Sequence, residues 1–311
     1  MQHFQSLSDI QLPGAWLTIG SFDGVHRGHQ AILRRLARGA HAAGLPAAVV
    51  TFYPHPAQVL RGRNGPVDLN SPDERAVLLG QAGIDYVLTL PFSRDTANLT
   101  ARQFIQQLHE RLQMRRLCIG HDFALGRGRE GTLPVLRQLG AEYGFTVSIT
   151  RPITLGGQPI SSSRIRLALT DGDVRTARQL LGRPFALTGA VVPGDQRGRT
   201  IGIPTANLDL WPAQLTPAAG VYACLARLAG EWCKAVVNIG VRPTFEPEAT
   251  QNRVEAHLLD FNQDIYDRQL TLHFIARLRD EQRFSGIQPL VAQIQADIRQ
   301  ARRILRLPRQ P

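Results

Sequence analysis

The sequence predicts two domains of different class: an α/β half, then an all-β half closed by a C-terminal helix. Three observations carry this. At 311 residues the chain exceeds what one core usually organises. Its first half alternates short apolar runs with helix-period segments, the order that builds a parallel sheet covered on both faces. After Gly182 the runs turn β-rich and are divided by Gly, Pro and Asp turns, which suggests a small antiparallel barrel or sandwich.

In chain order, Ala15–Phe22, Ala47–Phe52, Tyr86–Leu90, Arg116–Gly120 and Phe145–Thr150 read as buried strands. His29–Ala43, Pro72–Ala82, Ala101–Gln113 and Leu133–Tyr143 read as the helices between them. Two short helices follow, Ser161–Leu169 with Ser162 or Ser163 as cap, and Gly172–Leu181. Phe185–Val192, Gly220–Leu228, Trp232–Ile239, Arg253–Leu259 and Leu270–Arg279 read as the strands of the second half. Gln288–Leu305 reads as an amphipathic helix, with Val291, Ile294, Ile298 and Leu305 on the barrel and Arg299, Arg302, Arg303 and Arg306 in solvent. The boundary is expected near Gly182–Pro184, which divides the chain into domains 1–183 and 184–311.

Composition excludes several chemistries. Hydrophobic residues make up 43% and charged residues 20%, which argues against disorder. Lys234 is the single lysine beside 35 arginines. A GxxxxGK[ST] phosphate loop or a Lys-rich synthetase loop therefore has no lysine to use. The net charge of +11 and the Arg-rich final helix raise nucleic-acid binding as a competing reading. Aromatic content of 6% and the lack of any RNP-like or helix-turn-helix signature weigh against it. Cys118, Cys224 and Cys233 form no CxxC pair, so reduced buried thiols are expected. The N-terminus is unlike a signal peptide and no apolar run is long enough for a bilayer, so a cytoplasmic protein is expected, with neither membrane nor nucleic acid as partner and as a monomer or weak homo-oligomer.

Two stretches carry chemistry. The first, Gly20-Ser21-Phe22-Asp23-Gly24-Val25-His26-Arg27-Gly28-His29, follows the first predicted strand and opens the first predicted helix. Gly24 and Gly28 allow close backbone approach and dihedrals closed to other residues. The helix start offers free N–H groups and a positive dipole end, a ready phosphate site. His26 and His29, three apart, lie on one face there and can stabilise charge moving onto a leaving pyrophosphate. The second stretch runs from Gly194 to Asn207. Gly194, Gly198 and Gly202 let a loop fold over phosphates. Thr205 and Asn207 place two oxygen donors on the same side of an extended chain, a set suited to Mg²⁺.

The first stretch resembles the signature of the HxGH nucleotidyltransferases. Within that group it is similar to the adenylyltransferase half of the bacterial bifunctional riboflavin kinase/FAD synthetase family. Gly120-His121-Asp122-Phe123-Ala124-Leu125-Gly126 resembles that family's G-x-[DN]-F-x-F-G loop, with Leu125 in place of the second Phe. Ile160-Ser161-Ser162-Ser163-Arg164-Ile165-Arg166 resembles its I-S-S-[TS]-x-I-R segment. Thr51-Phe52-Tyr53-Pro54-His55-Pro56 resembles T-F-x-P-H-P; Tyr53 stands where Glu is expected and is given no role, while His55 reads as structural. The second stretch matches the flavokinase pattern G-x-x-x-G-R-x-x-G-x-P-T-A-N, including Arg199. Asn238-Ile239-Gly240-Val241-Arg242-Pro243-Thr244-Phe245 and Val254-Glu255-Ala256-His257 match further segments. Asp267 stands where the family has Gly after Tyr266.

The resemblance implies a Rossmann-like HxGH nucleotidyltransferase domain followed by a β-barrel flavokinase domain. It implies ATP binding around Gly20, Phe22, Asp23, Gly24 and Gly28, with Ser161, Ser162 and Arg166 on the β- and γ-phosphates. It implies a substrate loop at Asp122 and Phe123, and Glu255 as the base of a kinase whose Mg²⁺ ligands are Thr205 and Asn207. The substrates would be ATP, riboflavin and FMN, and the products FMN and FAD. A chain with one activity, its barrel only binding flavin, is the other enzyme reading.

Overall fold

The computed structural model describes residues 1–62, 67–194, 198, 201–241 and 252–308. It divides the chain into two compact units, Met1–Ser162 and Ser163–Pro311.

The first unit is built on six strands: β1 (Gln2–Phe4), β2 (Ala15–Ile19), β3 (Ala47–Tyr53), β4 (Tyr86–Pro91), β5 (Met114–Gly120) and β6 (Thr146–Thr150). They form a wholly parallel sheet in the order β1-β4-β3-β2-β5-β6. All five predicted strands are present; β1 is additional, a short edge strand without periodicity of its own. The helices are α1 (Arg27–Ala42), α2 (Pro56–Arg61), α3 (Pro72–Gln81), α4 (Arg94–Asn98), α5 (Ala101–Leu112) and α6 (Leu133–Tyr143). Local sequence explains their ends. Ser71 with Glu74, and Thr100 with Gln103, form capping boxes, and Gly144 ends α6 in the left-handed conformation.

The sheet buries both faces. On one side Leu17, Ile19, Val50 and Leu88 pack with Phe104, Leu108 and Leu136 of α5 and α6. On the other, Val49 and Val87 pack with Leu33, Leu36 and Leu79 of α1 and α3. Continuous apolar strands are what this double coverage requires. Strand order reverses at β2, with β3 on one side and β5 on the other. That switch point, at the carboxyl ends of the strands, is where an open α/β sheet leaves a crevice. The turns after β2, β3 and β5 carry three of the four motif segments of the first half; the fourth, residues 160–166, comes after β6.

A small hairpin, β7 (Thr154–Leu155) with β8 (Gln158–Pro159), precedes α7 (Ser162–Thr170) and α8 (Val174–Leu181). Ser162 is the first helical residue of α7, and its hydroxyl donates to the Asp23 carbonyl at 2.9 Å. That corrects its expected role as a cap.

The second unit is a closed antiparallel barrel of β9 (Phe185–Val192), β10 (Ala206–Leu210), β11 (Gly220–Leu228), β12 (Glu231–Val241), β13 (Asn252–Leu258) and β14 (Gln269–Arg279), in the order β10-β13-β12-β11-β14-β9. Strand β10 was not expected. It follows Pro204, is short, and becomes a strand by pairing on one side with β9 and on the other with β13. Phe185, Leu187, Leu270, Leu272 and Phe274 fill the interior in alternation, and the Tyr222 ring meets Phe274 edge-on at 5.3 Å. Helix α9 (Ile287–Ile304) covers the outer face of β11 and β12. Its Ile298 and Ala301, with Leu305 just beyond it, pack on Val221, Ala223 and Val236. Arg299, Arg302, Arg303 and Arg306 are exposed, as amphipathicity required, and Arg302 forms a two-pronged pair with Asp260 at 2.7 Å. Asp297 was not anticipated: it is buried on α9 and takes three hydrogen bonds from Arg279.

All three cysteines are free thiols. Burial pushes the Cys118 and Cys224 thiols up, so neither is a ready thiolate. Asp267, where the family pattern has Gly, has φ +62°. The turn thus keeps the left-handed conformation, which Asp tolerates better than most residues.

Candidate active sites

In the first unit, the turn after β2 holds three successive departures from ordinary backbone: Phe22 at φ +47°, Gly24 at +78° and Val25 at +40°. A β-branched residue in this region is strained, and such strain persists only where surrounding contacts hold it. Here they do. Phe22 and Val25 are buried, Asp23 is fully buried, and Asp23 Oδ1 accepts from the Leu69 amide at 2.9 Å. Gly28 has a different role from the one expected. It lies within α1, and a Cβ there would stand 3.0 Å from the His26 ring, so it supplies space rather than an unusual dihedral.

The turn delivers His26 as the N-cap of α1, its Nδ1 accepting from the His29 amide at 3.2 Å. A nitrogen that accepts cannot carry the ring proton, so this bond assigns the neutral ring's proton to Nε2. The His29 ring stacks on His26 with centroids 3.6 Å apart and planes 16° from parallel. Phe22 meets His29 edge-on at 5.1 Å. Burial, then the His26 and Arg75 charges, hold His29 well below the ordinary histidine range. His29 Nδ1 is buried without a hydrogen-bond partner among the described residues. The pair is thus a capped imidazole stacked on a neutral one at a helix start.

Gly20 follows β2 directly, and a Cβ there would stand 3.2 Å from the Phe22 ring. Ser161 and Ser162 are half-buried. Arg166 is partly buried in α7, beyond the Ser162 division, and its carbonyl accepts from Thr170. In the loop after β5, Asp122 is exposed with its carbonyl held by Arg129 at 2.8 Å, and Phe123 packs against the core. Leu125 is buried and bridged to Gly131, so the loop closes without a second aromatic. His55 caps α2, its Nδ1 accepting from Ala57 at 3.1 Å, which bears out its structural reading.

In the second unit, Asn207 lies on β10 beside Glu255 of β13, and Asn238 of β12 faces Glu255 from the other side. The three polar residues form one row across three strands. Asn207 is only 8% exposed. Arg253, two residues before Glu255 on the same face, was missed in the sequence. Its Nε lies 2.7 Å from Asn207 Oδ1 and 2.7 Å from Glu255 Oε1. The strand period of two was the signal that could have found it. His257 Nδ1 donates to the Pro204 carbonyl at 2.8 Å, which ties β13 to the start of β10. Gly194 stands against this row, for a Cβ there would lie 2.6 Å from Asn207 Cγ, whereas a Cβ on Gly198 would run into the Ile203 carbonyl oxygen, with Thr205 Oγ1 at 3.4 Å. Gly202 takes φ +74° with open space around it. Arg199 lies outside the described residues, as do Arg242, Pro243, Thr244 and Phe245 of the segment that begins at Asn238.

A parallel sheet with a histidine-capped turn at its switch point, and a separate closed barrel carrying a polar Asn–Glu row, define a two-unit chain of FAD synthetase and flavokinase type. The FAD synthetase family model matches residues 9–164 and the riboflavin kinase family model matches residues 181–305. The chain is 42% identical over 294 residues to the bifunctional riboflavin kinase/FMN adenylyltransferase of Escherichia coli (strain K12), covering 94% of this chain and 93% of that one. The proteins of the same description from Pseudomonas fluorescens and Bacillus subtilis (strain 168) are 40% and 39% identical, over 93% and 92% of this chain and 92% and 90% of theirs. The chain belongs to the bifunctional riboflavin kinase/FMN adenylyltransferase family. A Streptococcus pneumoniae crystal structure named for macrolide efflux shares the fold at TM-score 0.88 and 33% identity, over 97% of this chain and 98% of that one. That name stays with that protein: both family models and the curated relatives point elsewhere, and among the described residues no helix is long and apolar enough to cross a membrane.

Proposed function

We propose that the chain makes FMN and then FAD. The unit within residues 184–311 transfers the γ-phosphate of ATP to the ribityl 5′-hydroxyl of riboflavin. The unit within residues 1–183 joins FMN to the AMP part of a second ATP and releases pyrophosphate. The observation that carries the reading is the capped, stacked His26–His29 pair at the switch point of the parallel sheet.

In the adenylyl step an FMN phosphate oxygen attacks the α-phosphorus, and the bond to the β-phosphate oxygen breaks. No covalent enzyme intermediate is needed, so the protein positions the reactants and stabilises charge. His26 Nε2–H and the free N–H groups of α1 are the donors for the departing pyrophosphate. Gly20, Phe22, Asp23 and Gly24 shape the turn, Ser161, Ser162 and Arg166 serve the β- and γ-phosphates, and Asp122 and Phe123 border the flavin side.

In the kinase step Glu255 accepts the proton of the attacking hydroxyl. Gly194, Gly198 and Gly202 serve the phosphates as the glycines of an arch, with Arg199 assigned to phosphate binding. Thr205 and Asn207 would hold Mg²⁺, and the residues fit a hard cation. Both donors are oxygens, and Arg253 engages the Asn207 oxygen once, which leaves a lone pair. When bound, Mg²⁺ would draw charge from the phosphate oxygens. ATP, riboflavin and FMN are the partners in this reading; the chain works without nucleic acid, in the cytoplasm, as a monomer or weak homo-oligomer.

The test is incubation of the purified chain with riboflavin, ATP and Mg²⁺, followed by chromatography. FMN and FAD are expected in sequence. FMN without FAD overturns the N-terminal assignment, and neither product overturns both.

A further inference from the structure

The strained turn of the first unit is braced by a residue outside every motif. Arg75, on α3, is fully buried. An arginine is almost never so placed unless its charge is met. Its Nη2 lies 3.6 Å from Asp68 Oδ1 and 3.9 Å from Asp23 Oδ1, both carboxylates fully buried as well. Its Nη1 donates to the Phe52 carbonyl at 3.1 Å and to Thr51 Oγ1 at 3.4 Å. Thr51 in turn donates to the Ser21 carbonyl at 3.0 Å. Three separate segments therefore converge on one guanidinium: the turn after β2, the end of β3, and the stretch leading into α3. The first of these carries Phe22, Gly24 and Val25 in left-handed conformations and delivers His26 to its cap.

We infer that Arg75 is a positioning residue for adenylyl transfer, its buried guanidinium holding the turn from Ser21 to Val25, and with it the His26–His29 stack, in the geometry the reaction uses. The inference rests on the adenylyltransferase reading of the first unit. Arg75 has no exposed surface from which to touch a nucleotide, so it acts through Asp23, Thr51 and Phe52. Its planar fork can meet two carboxylates and two oxygens at once, which an ammonium cannot.

The experiment measures FAD formation from supplied FMN and ATP by the full chain carrying Arg75→Lys, with kcat and the KM for ATP separated. Thermal unfolding of the same sample is followed in parallel. Lysine keeps the charge and loses the fork. The expected result is a fall in kcat/KM of about 10- to 100-fold, carried mainly by kcat, in protein that is still folded at the assay temperature. FMN formation from riboflavin is unchanged. A purely structural role gives a lower unfolding midpoint with wild-type kcat and KM in the folded fraction, and that result overturns the inference. Should Arg75→Lys not fold, Asp68→Asn decides, because it leaves Arg75 balanced one-to-one by Asp23 while removing one anchor. A reduced kcat supports the inference, and wild-type kinetics overturn it. His29→Ala in the same assay separates the two layers: if it too forms FAD normally, the adenylyltransferase reading fails, whereas if only the Arg75 and Asp68 variants are normal, the positioning role alone fails.

Discussion

Gly194→Ala isolates one contact in the kinase site. The backbone at Gly194 is not left-handed, so alanine meets no torsional penalty there. What it meets is Asn207. The added Cβ would run first into Asn207 Nδ2, and would lie 2.6 Å from Asn207 Cγ and 2.8 Å from Arg253 Nη2. Heavy atoms in contact sit at about 3.5 Å, so, with Nδ2 the nearest atom, the Asn207 amide must retreat by more than about 1 Å or the 194 backbone must lift by as much. Asn207 is nearly buried and held on both sides of β10, so the strain falls on its side chain and on the Arg253 contact at 2.7 Å. A displacement near 1 Å in a positioning group costs up to about 100-fold in rate, about 2.7 kcal/mol of barrier. The assay is FMN formation from riboflavin under saturating ATP and Mg²⁺, with FAD formation from supplied FMN as control. We expect the first to fall about 10- to 100-fold and the second to hold. A variant that forms FMN at the wild-type rate refutes the placement of Asn207 in the kinase site. Gly202→Ala is the contrast: it has open space but φ +74°, so it costs about 1 kcal/mol of local strain without touching Asn207.

Other outcomes follow from the same geometry. Asp297→Ala strands the Arg279 guanidinium beneath α9; the loss should be about 3 kcal/mol, an unfolding midpoint lower by about 6–12 °C in calorimetry. His273, pushed down to about 4 by burial first and then by Arg227 and Arg183, stays neutral in the fold while the unfolded chain takes up its proton near pH 6.5. Its contribution is therefore complete above pH 6.5 and is lost as pH falls toward 4, on the order of 2 kcal/mol after allowing for the ring's partial exposure. Between pH 7 and pH 4, urea unfolding should show the parent chain losing about 2 kcal/mol more than His273→Gln, because glutamine takes up no proton in either state. Chelation of divalent cations should stop FMN formation and added Mg²⁺ restore it, while Asn207→Ala should raise the Mg²⁺ concentration needed for half-maximal rate.

Periodicity and motif order made much of this molecule legible. The buried strands Ala47–Tyr53 and Tyr86–Pro91 announce themselves as β-rich apolar runs, and α1 by Leu33, Leu36, Ala37 and Ala40 at helical spacing. The histidine turn was legible because each of its residues has a local use at a strand-to-helix junction. Arg75 was not, because in sequence it is one arginine among 35 on a helix whose start is marked by Ser71 and Glu74. Arg253 was obscured by the Val254-Glu255-Ala256-His257 match beside it. Strand β10 is not among the predicted strands because Pro204 precedes it and it is only five residues long.

What the chain's order of residues determined alone is local: the alternation that yields a parallel sheet and then a barrel, the caps, and the positions where a helix or strand opens onto a glycine. These follow from interactions within a few residues of one another. Tertiary structure alone decided which charges are buried together and which strands close the barrel. Asp23 and Arg75 are 52 positions apart, and Asn207 and Arg253 are 46 apart. No local pattern links them; they meet because the sheet and the barrel bring distant segments side by side, and burial then leaves each charge only the partner it finds there.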